Sequence, residues 1–137
     1  MKKIRFMSLV LAAIMLLSIP SFAADTRASE QIHMHIVYAE AEPGQIYVEA
    51  TIYGTEIMDK IGCQSIHIFE DDNGWWSLCY SLFEDDEDMS STDTFVHDYT
   101  NTFESEVSVD YYVLITVFAE NENGRDSRTY EYYVTGI

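Results

Sequence analysis

Residues 62–83 read GCQSIHIFEDDNGWWSLCYSLF. Two runs rich in β-branched and aromatic residues flank Asp71-Asp72-Asn73-Gly74, a cluster of short polar side chains and glycine that turns a chain. Apolar residues fall at alternate positions, which is the period of a strand with one buried side. The stretch therefore reads as an antiparallel hairpin, with Ile66, Ile68, Trp76, Leu78, Tyr80 and Leu82 facing a core. Cys63, Ser65, His67, Phe69, Trp75, Ser77, Cys79 and Ser81 face the other way. Neighbours on a strand point to opposite sides, so only one tryptophan, Trp76, is assigned to the core.

The same parity predicts the turn. A two-residue Asn73-Gly74 loop would set Ile68 against Cys79 and mix inward with outward residues. A three-residue loop, Asp72-Asn73-Gly74, sets Ile68 against Leu78 and Ile66 against Tyr80, and is the expected form because a one-residue slip inverts a whole strand. In that register Cys79 faces His67 and Cys63 faces Phe83, so the cysteines lie about 13 Å apart along the sheet. A disulfide needs Cα atoms within about 7 Å. No intrachain bridge is expected, although two cysteines in a secreted domain ordinarily pair.

Outward from this hairpin, period two continues from Ile32 to the end of the chain. Strands are predicted at 31–39, 45–53, 62–70, 75–83, 110–120 and 127–135, with a short one around 94–102. Breaks fall at Glu42-Pro43-Gly44, at Asp71 to Gly74, after Phe83, and at Asn121 to Gly124. About seven short strands joined by turns imply an all-β, antiparallel, Ig-like β-sandwich, with a small closed barrel as the alternative. Ile46, Val48, Ala50 and Ile52 are expected in the core, as are Tyr111, Val113, Ile115, Val117 and Ala119.

The N-terminus has the form of a signal peptide. Lys2, Lys3 and Arg5 precede the apolar FMSLVLAAIMLLSI, and small residues at Ser21 and Ala23 suit cleavage before Ala24. The apolar run, about 16 residues, is short for a membrane span. The expected organisation is a signal peptide over 1–23 and a single domain over 24–137, secreted and free of the membrane after cleavage. The domain would retain four Lys+Arg against 24 Asp+Glu, a formal charge of about −20. Such a surface disfavours nucleic acid, whose phosphates are held by Lys and Arg, and anionic membranes. An aromatic content of 14% argues against an acidic disordered tail.

VFAENENGRDS, residues 117–127, resembles the end of strand F and the F–G turn of fibronectin type III and related Ig-like sandwiches, through Val117, Ala119, Asn121 and Gly124. The tryptophan of strand B in that family has no counterpart here. The wider layout, ATIYGTEIMDKIGCQSIHIFE followed by YYVLITVFAENENGRDSRTY, is similar to small secreted proteins of unknown function from Gram-positive bacteria, a likeness that implies no activity.

Motifs for catalysis are absent from the sequence: it has no Gly-x-Ser-x-Gly, no His-Glu-x-x-His and no phosphate-binding glycine loop. A two-carboxylate glycosidase needs no motif, but nothing singles out a pair of acids. The expectation is a non-enzymatic protein without a cofactor. An EF-hand aligned on Gly74 would begin at Phe69 and end at Tyr80, neither of them a ligand. The five consecutive acids Glu84, Asp85, Asp86, Glu87 and Asp88 are expected to be solvated, with a weak extracellular Ca2+ site as their alternative use.

The distinctive feature is an outward sheet face. The strand at 110–120 is apolar on both sides, so Tyr112, Leu114 and Phe118 are left outside, joined by Phe69, Trp75 and Tyr133 from its neighbours. A face of that kind marks an interface, unless the segment 84–108 folds over it. It is predicted to bind an extracellular protein or a glycan, aromatic rings being suited to sugar faces. The other expected use is self-association, in which the face pairs with a second copy as a homodimer.

Overall fold

A computed structural model describes residues 31–137. The predicted signal peptide, its cleavage site and the first residues of the predicted domain lie outside the described residues. Six strands run antiparallel: β1 (Ile32–Glu42), β2 (Gln45–Asp72), β3 (Trp75–Phe83), β4 (Ser90–Glu104), β5 (Asp110–Asn121) and β6 (Gly124–Thr135). The described fold is all-β, as the alternation required.

The strands at 45–53 and 62–70, expected to be separate, are one strand of 28 residues. β2 is the axis of the fold. Its first half pairs with β1 on one side and β4 on the other; its second half pairs with β5 and β3. The ladder with β4 is interrupted between Tyr53 and Met58, where the strand turns from one half to the other. β6 extends the sheet beyond β5. The sheet then curls until β6 meets β1: Ile32 N–H donates to Asp126 Oδ2 at 3.1 Å, and the Tyr132 hydroxyl donates to the Val37 carbonyl.

The curl encloses one core, to which both halves of β2 contribute. Ile46, Val48, Ala50 and Ile52 meet Ile66, Ile68, Val113, Ile115 and Val117 there, all without solvent exposure. Burying each isoleucine or valine contributes about 1.5–3 kcal/mol, so the period-two pattern is also the main source of stability. Tyr130, Tyr132 and Val134 of β6 pack against the edge of this core.

Gly62 fixes how closely β4 can approach. Its φ is +152°, and a Cβ there would run into the Met89 carbonyl oxygen and lie 2.7 Å from Ser90 Cα. The backbone of the β3–β4 loop therefore rests directly on β2, and Cys63 N–H donates to Met89 O at 2.7 Å.

The central hairpin departs from the expected register. Asn73 and Gly74 have φ of +54° and +91°, the signature of a two-residue type I′ turn, and Asp72 pairs with Trp75. A β-bulge between Ile68 and Phe69 absorbs the parity conflict that had favoured the longer loop. Beyond it Ile68 faces Tyr80 and Ile66 faces Leu82, so the core stays apolar. Near the turn the sides are exchanged relative to expectation: Trp76 and Leu78 lie on the outer face with Phe69.

A second bulge, between Cys63 and Ser65, turns Cys63 inward, where it is fully buried rather than outward. Cys79 is half-buried and donates from Sγ to Ile68 O at 3.1 Å. Both cysteines are free. His67 faces Ser81, with Nδ1 and Oγ 2.9 Å apart, instead of Cys79.

Candidate binding face

The outer face of β3, β2, β5 and β6 is graded along the strands. Near the Asn73-Gly74 turn, Phe69, Tyr112 and Tyr133 are cross-strand partners on β2, β5 and β6. Their rings form a row, with Phe69 and Tyr112 centroids 5.7 Å apart and Tyr112 and Tyr133 5.0 Å apart at 17°. Trp76 leans on the row, 5.8 Å from Tyr112 and 6.2 Å from Tyr133. Leu78, opposite Phe69, continues it onto β3. A cleft of about 250 Å³ opens beside Trp76 and Tyr133, lined also by Asp110, Tyr111, Val134 and Thr135.

Further along, the face becomes polar. Leu114 sits between His67 and Glu131, and Thr116 Oγ1 lies 2.9 Å from Thr129 Oγ1. At the far end Phe118, expected outside, is fully buried. Its strand parity is as predicted, but the Arg125 guanidinium covers its ring at 4.1 Å. Arg125 is held there by Glu84, through two bonds of 2.8 and 3.0 Å, and by Glu120.

Glu84 also meets Lys60 Nζ at 2.8 Å, and Lys60 reaches Asp85 at 2.8 Å. The first acids of the 84–88 run therefore already hold counter-ions from the protein. Hydrogen bonding to Arg125, with help from Lys60, pulls the Glu84 carboxyl down to about 2. Asp85 and Glu84 in turn raise the Lys60 ammonium above its ordinary value. Asp86 accepts from Phe83 N–H at 2.7 Å, closing the loop locally, while Glu87 and Asp88 are exposed. Among the described residues, no three His, Cys, Asp or Glu side chains are grouped to hold a metal ion.

Of the residues predicted for the face, the structure gathers Phe69, Tyr112 and Tyr133, places Leu114 in the adjoining polar band, and removes two. Phe118 is closed off as described. Trp75, 80% exposed, lies on the opposite side of β3 beyond the end of the core, and Trp76 takes the place assigned to it. The bulge at Cys79, which is skipped in the ladder between Leu78 and Tyr80, is the cause. The segment after Phe83 does not cover the aromatic end, because 90–104 is committed to the other part of β2. Trp76, Leu78 and Tyr133 are 48%, 54% and 68% exposed.

Trp76 and Leu78 are the face residues that parity alone assigned to the core. The Asn-Gly pair was the available signal: it favours a type I′ loop strongly enough to make a compensating bulge the better solution.

No protein-family model and no curated protein matches the chain. Among solved structures, the sporulation control protein Spo0M from Bacillus subtilis is similar at 12% identity and a TM-score of 0.42, over 78% of this chain and 49% of that one. The chain thus spans about half the length of Spo0M, at a likeness too low to bear on fold or function.

Proposed function

We propose that the protein is a secreted, non-catalytic binding module whose outer aromatic face engages an extracellular protein. The curled sheet serves as an Ig-like scaffold, with β3, the second half of β2, β5 and β6 as the presenting layer. The observation that carries this reading is the exposed cluster of Trp76, Leu78 and Tyr133 around the Phe69–Tyr112 pair. Exposed apolar groups gathered on one face, rather than scattered, favour an interface.

A protein partner suits the geometry better than a glycan. The rings of Phe69, Tyr112 and Tyr133 stand side by side and spend their faces on one another. With the faces used in this way the rings leave mainly their edges to a partner, whereas a sugar stacks on an open ring face.

The test is capture of partners from the culture medium of the producing cell by the native protein and by a Tyr112→Ser/Tyr133→Ser variant that keeps its melting temperature. A partner recovered by the native protein and at least tenfold less by the variant supports the face. Equal recovery by both overturns it, and a stable dimer in sedimentation velocity that the variant abolishes would replace it with self-assembly.

A further inference from the structure

Four strands have a side that pairs with no other described strand: β1, β3, β4 and β6. Such edges attract further strands, and natural sheets protect them with charge, proline or cover. β1 is covered by the Asp126 and Tyr132 side chains of β6. β4 carries Asp93, Asp98 and Glu104, and β6 carries Arg125, Asp126, Arg128 and Glu131. β3, WWSLCYSLF, has no charged residue and no proline. It is the unprotected edge.

Its ends are the opposite. Asp71 and Asp72 precede it, exposed at the turn, and Asp85 to Asp88 follow it, also exposed. The nine residues of β3 span about 30 Å, so an apolar edge of that length is bracketed by negative charge.

In a two-residue hairpin the flanking pair, Asp72 and Trp75, exchanges ladder bonds, which turns the N–H and C=O of Trp76 and Leu78 toward the free side. At the other end the Phe83 N–H is already taken by Asp86.

The charge pattern selects the occupant. Two copies pairing antiparallel through β3 would set the Asp71-Asp72 turn of each against the acid run of the other, twice over by symmetry. The whole chain carries a formal charge of −17, which adds to the repulsion.

We propose that β3 accepts an extended segment of a partner protein as an added strand, one whose alternating apolar centre is flanked by Lys or Arg. This rests on the reading of the protein as a binding module, but it uses the backbone edge of β3 rather than the ring face. Main-chain bonds supply affinity and the basic flanks supply selectivity, in the manner of strand addition at an open edge.

Both tryptophans of the chain lie on β3, so their fluorescence reports on this edge directly. The test titrates the purified protein with three synthetic peptides: KKVTVTVKK, KKVTPTVKK, whose central proline cannot extend a sheet, and EEVTVTVEE. The expected result is a saturable tryptophan change with the first peptide, weakened by salt, and at least tenfold weaker binding of the other two. Leu78→Pro, which removes an outward N–H, and Leu78→Lys, which adds a charge at the edge, should each lose at least tenfold. Val107→Ser, at an exposed site between β4 and β5, should bind within twofold of the native protein, and the Tyr112→Ser/Tyr133→Ser capture experiment reads the ring face by itself, so the edge and the ring face can fail separately. No binding of KKVTVTVKK at millimolar concentration, equal binding of all three peptides, unchanged binding by both Leu78 variants, or a stable dimer through β3 overturns the proposal.

Discussion

Replacing Arg125 by Gln tests the clip that closes the polar end of the outer face. The substitution keeps most of the side-chain length but removes the paired bonds to Glu84 at 2.8 and 3.0 Å, the contact with Glu120, and the cation over Phe118 at 4.1 Å. Arg125 and Glu84 are 28% and 24% exposed, so the pair is partly screened. Its worth belongs near the upper end of the surface range, about 1 kcal/mol, and the ring contact adds about 0.5–1 kcal/mol. The expected loss is about 1.5–2 kcal/mol, or a melting temperature lower by roughly 6–12 °C for a domain of this size.

Circular dichroism is the assay of choice, since both tryptophans lie on β3, away from the clip. The effect has a defined pH window. The Glu84 carboxyl, held down to about 2 against its ordinary value of 4.5, contributes stability that is complete above about pH 5 and lost as pH falls through about 2. The gap between native and variant should therefore close on acidification. A Glu84→Gln/Arg125→Gln cycle should give a coupling of at least 0.5 kcal/mol at pH 7. An additive cycle, or an Arg125→Gln melting temperature within 1 °C of native, would refute the clip.

Gly62→Ala should cost more than about 2 kcal/mol in urea unfolding, because the new Cβ meets backbone at Met89 and Ser90 and the +152° φ disfavours any side chain. Phe118→Ala is expected to lose about 3–4 kcal/mol, whereas Trp75→Ser, at an 80% exposed site, should change stability by less than about 0.5 kcal/mol. A thiol reagent should label Cys79 slowly and leave Cys63 unlabelled until the protein is denatured: burial raises both thiols, that of Cys63 to about 12. Calcium at about 5 mM should leave the melting temperature within 1 °C, since Glu84 and Asp85 are already engaged with Lys60 and Arg125. A larger rise would restore the calcium use of the 84–88 run.

Strand parity made most of the core legible. Ile46, Val48, Ala50 and Ile52 on β2, and Tyr111, Val113, Ile115, Val117 and Ala119 on β5, are buried as alternation requires. It failed where a bulge interrupts the count. The two irregularities, at Ile68/Phe69 and Cys63/Ser65, exchanged Trp75 with Trp76 and turned Cys63 inward. A bulge depends on what two strands must match across the ladder, which a single strand's pattern does not carry.

Phe118 was misplaced for another reason. Its outward direction was right, but the residue that covers it reaches across from β6 and is anchored by an acid 41 positions away in sequence. Charge composition showed a surplus of acids; only the fold shows that Glu84 is bound to two of the few cations the domain keeps. The continuity of β2 was not legible, because strands predicted at 45–53 and 62–70 left Gly54 and the mixed residues up to Ile61 unassigned between them.

The single long β2 has a consequence for how the chain can be divided. Each of β1, β3, β4 and β5 finds its partner on it, so neither part of the molecule has a complete set of neighbours without the other. A protease cut or an engineered split near Gly54 would leave two fragments, each with half of a shared interior and little reason to fold alone. Whatever assembles from them should do so only in each other's presence, as one all-or-none association.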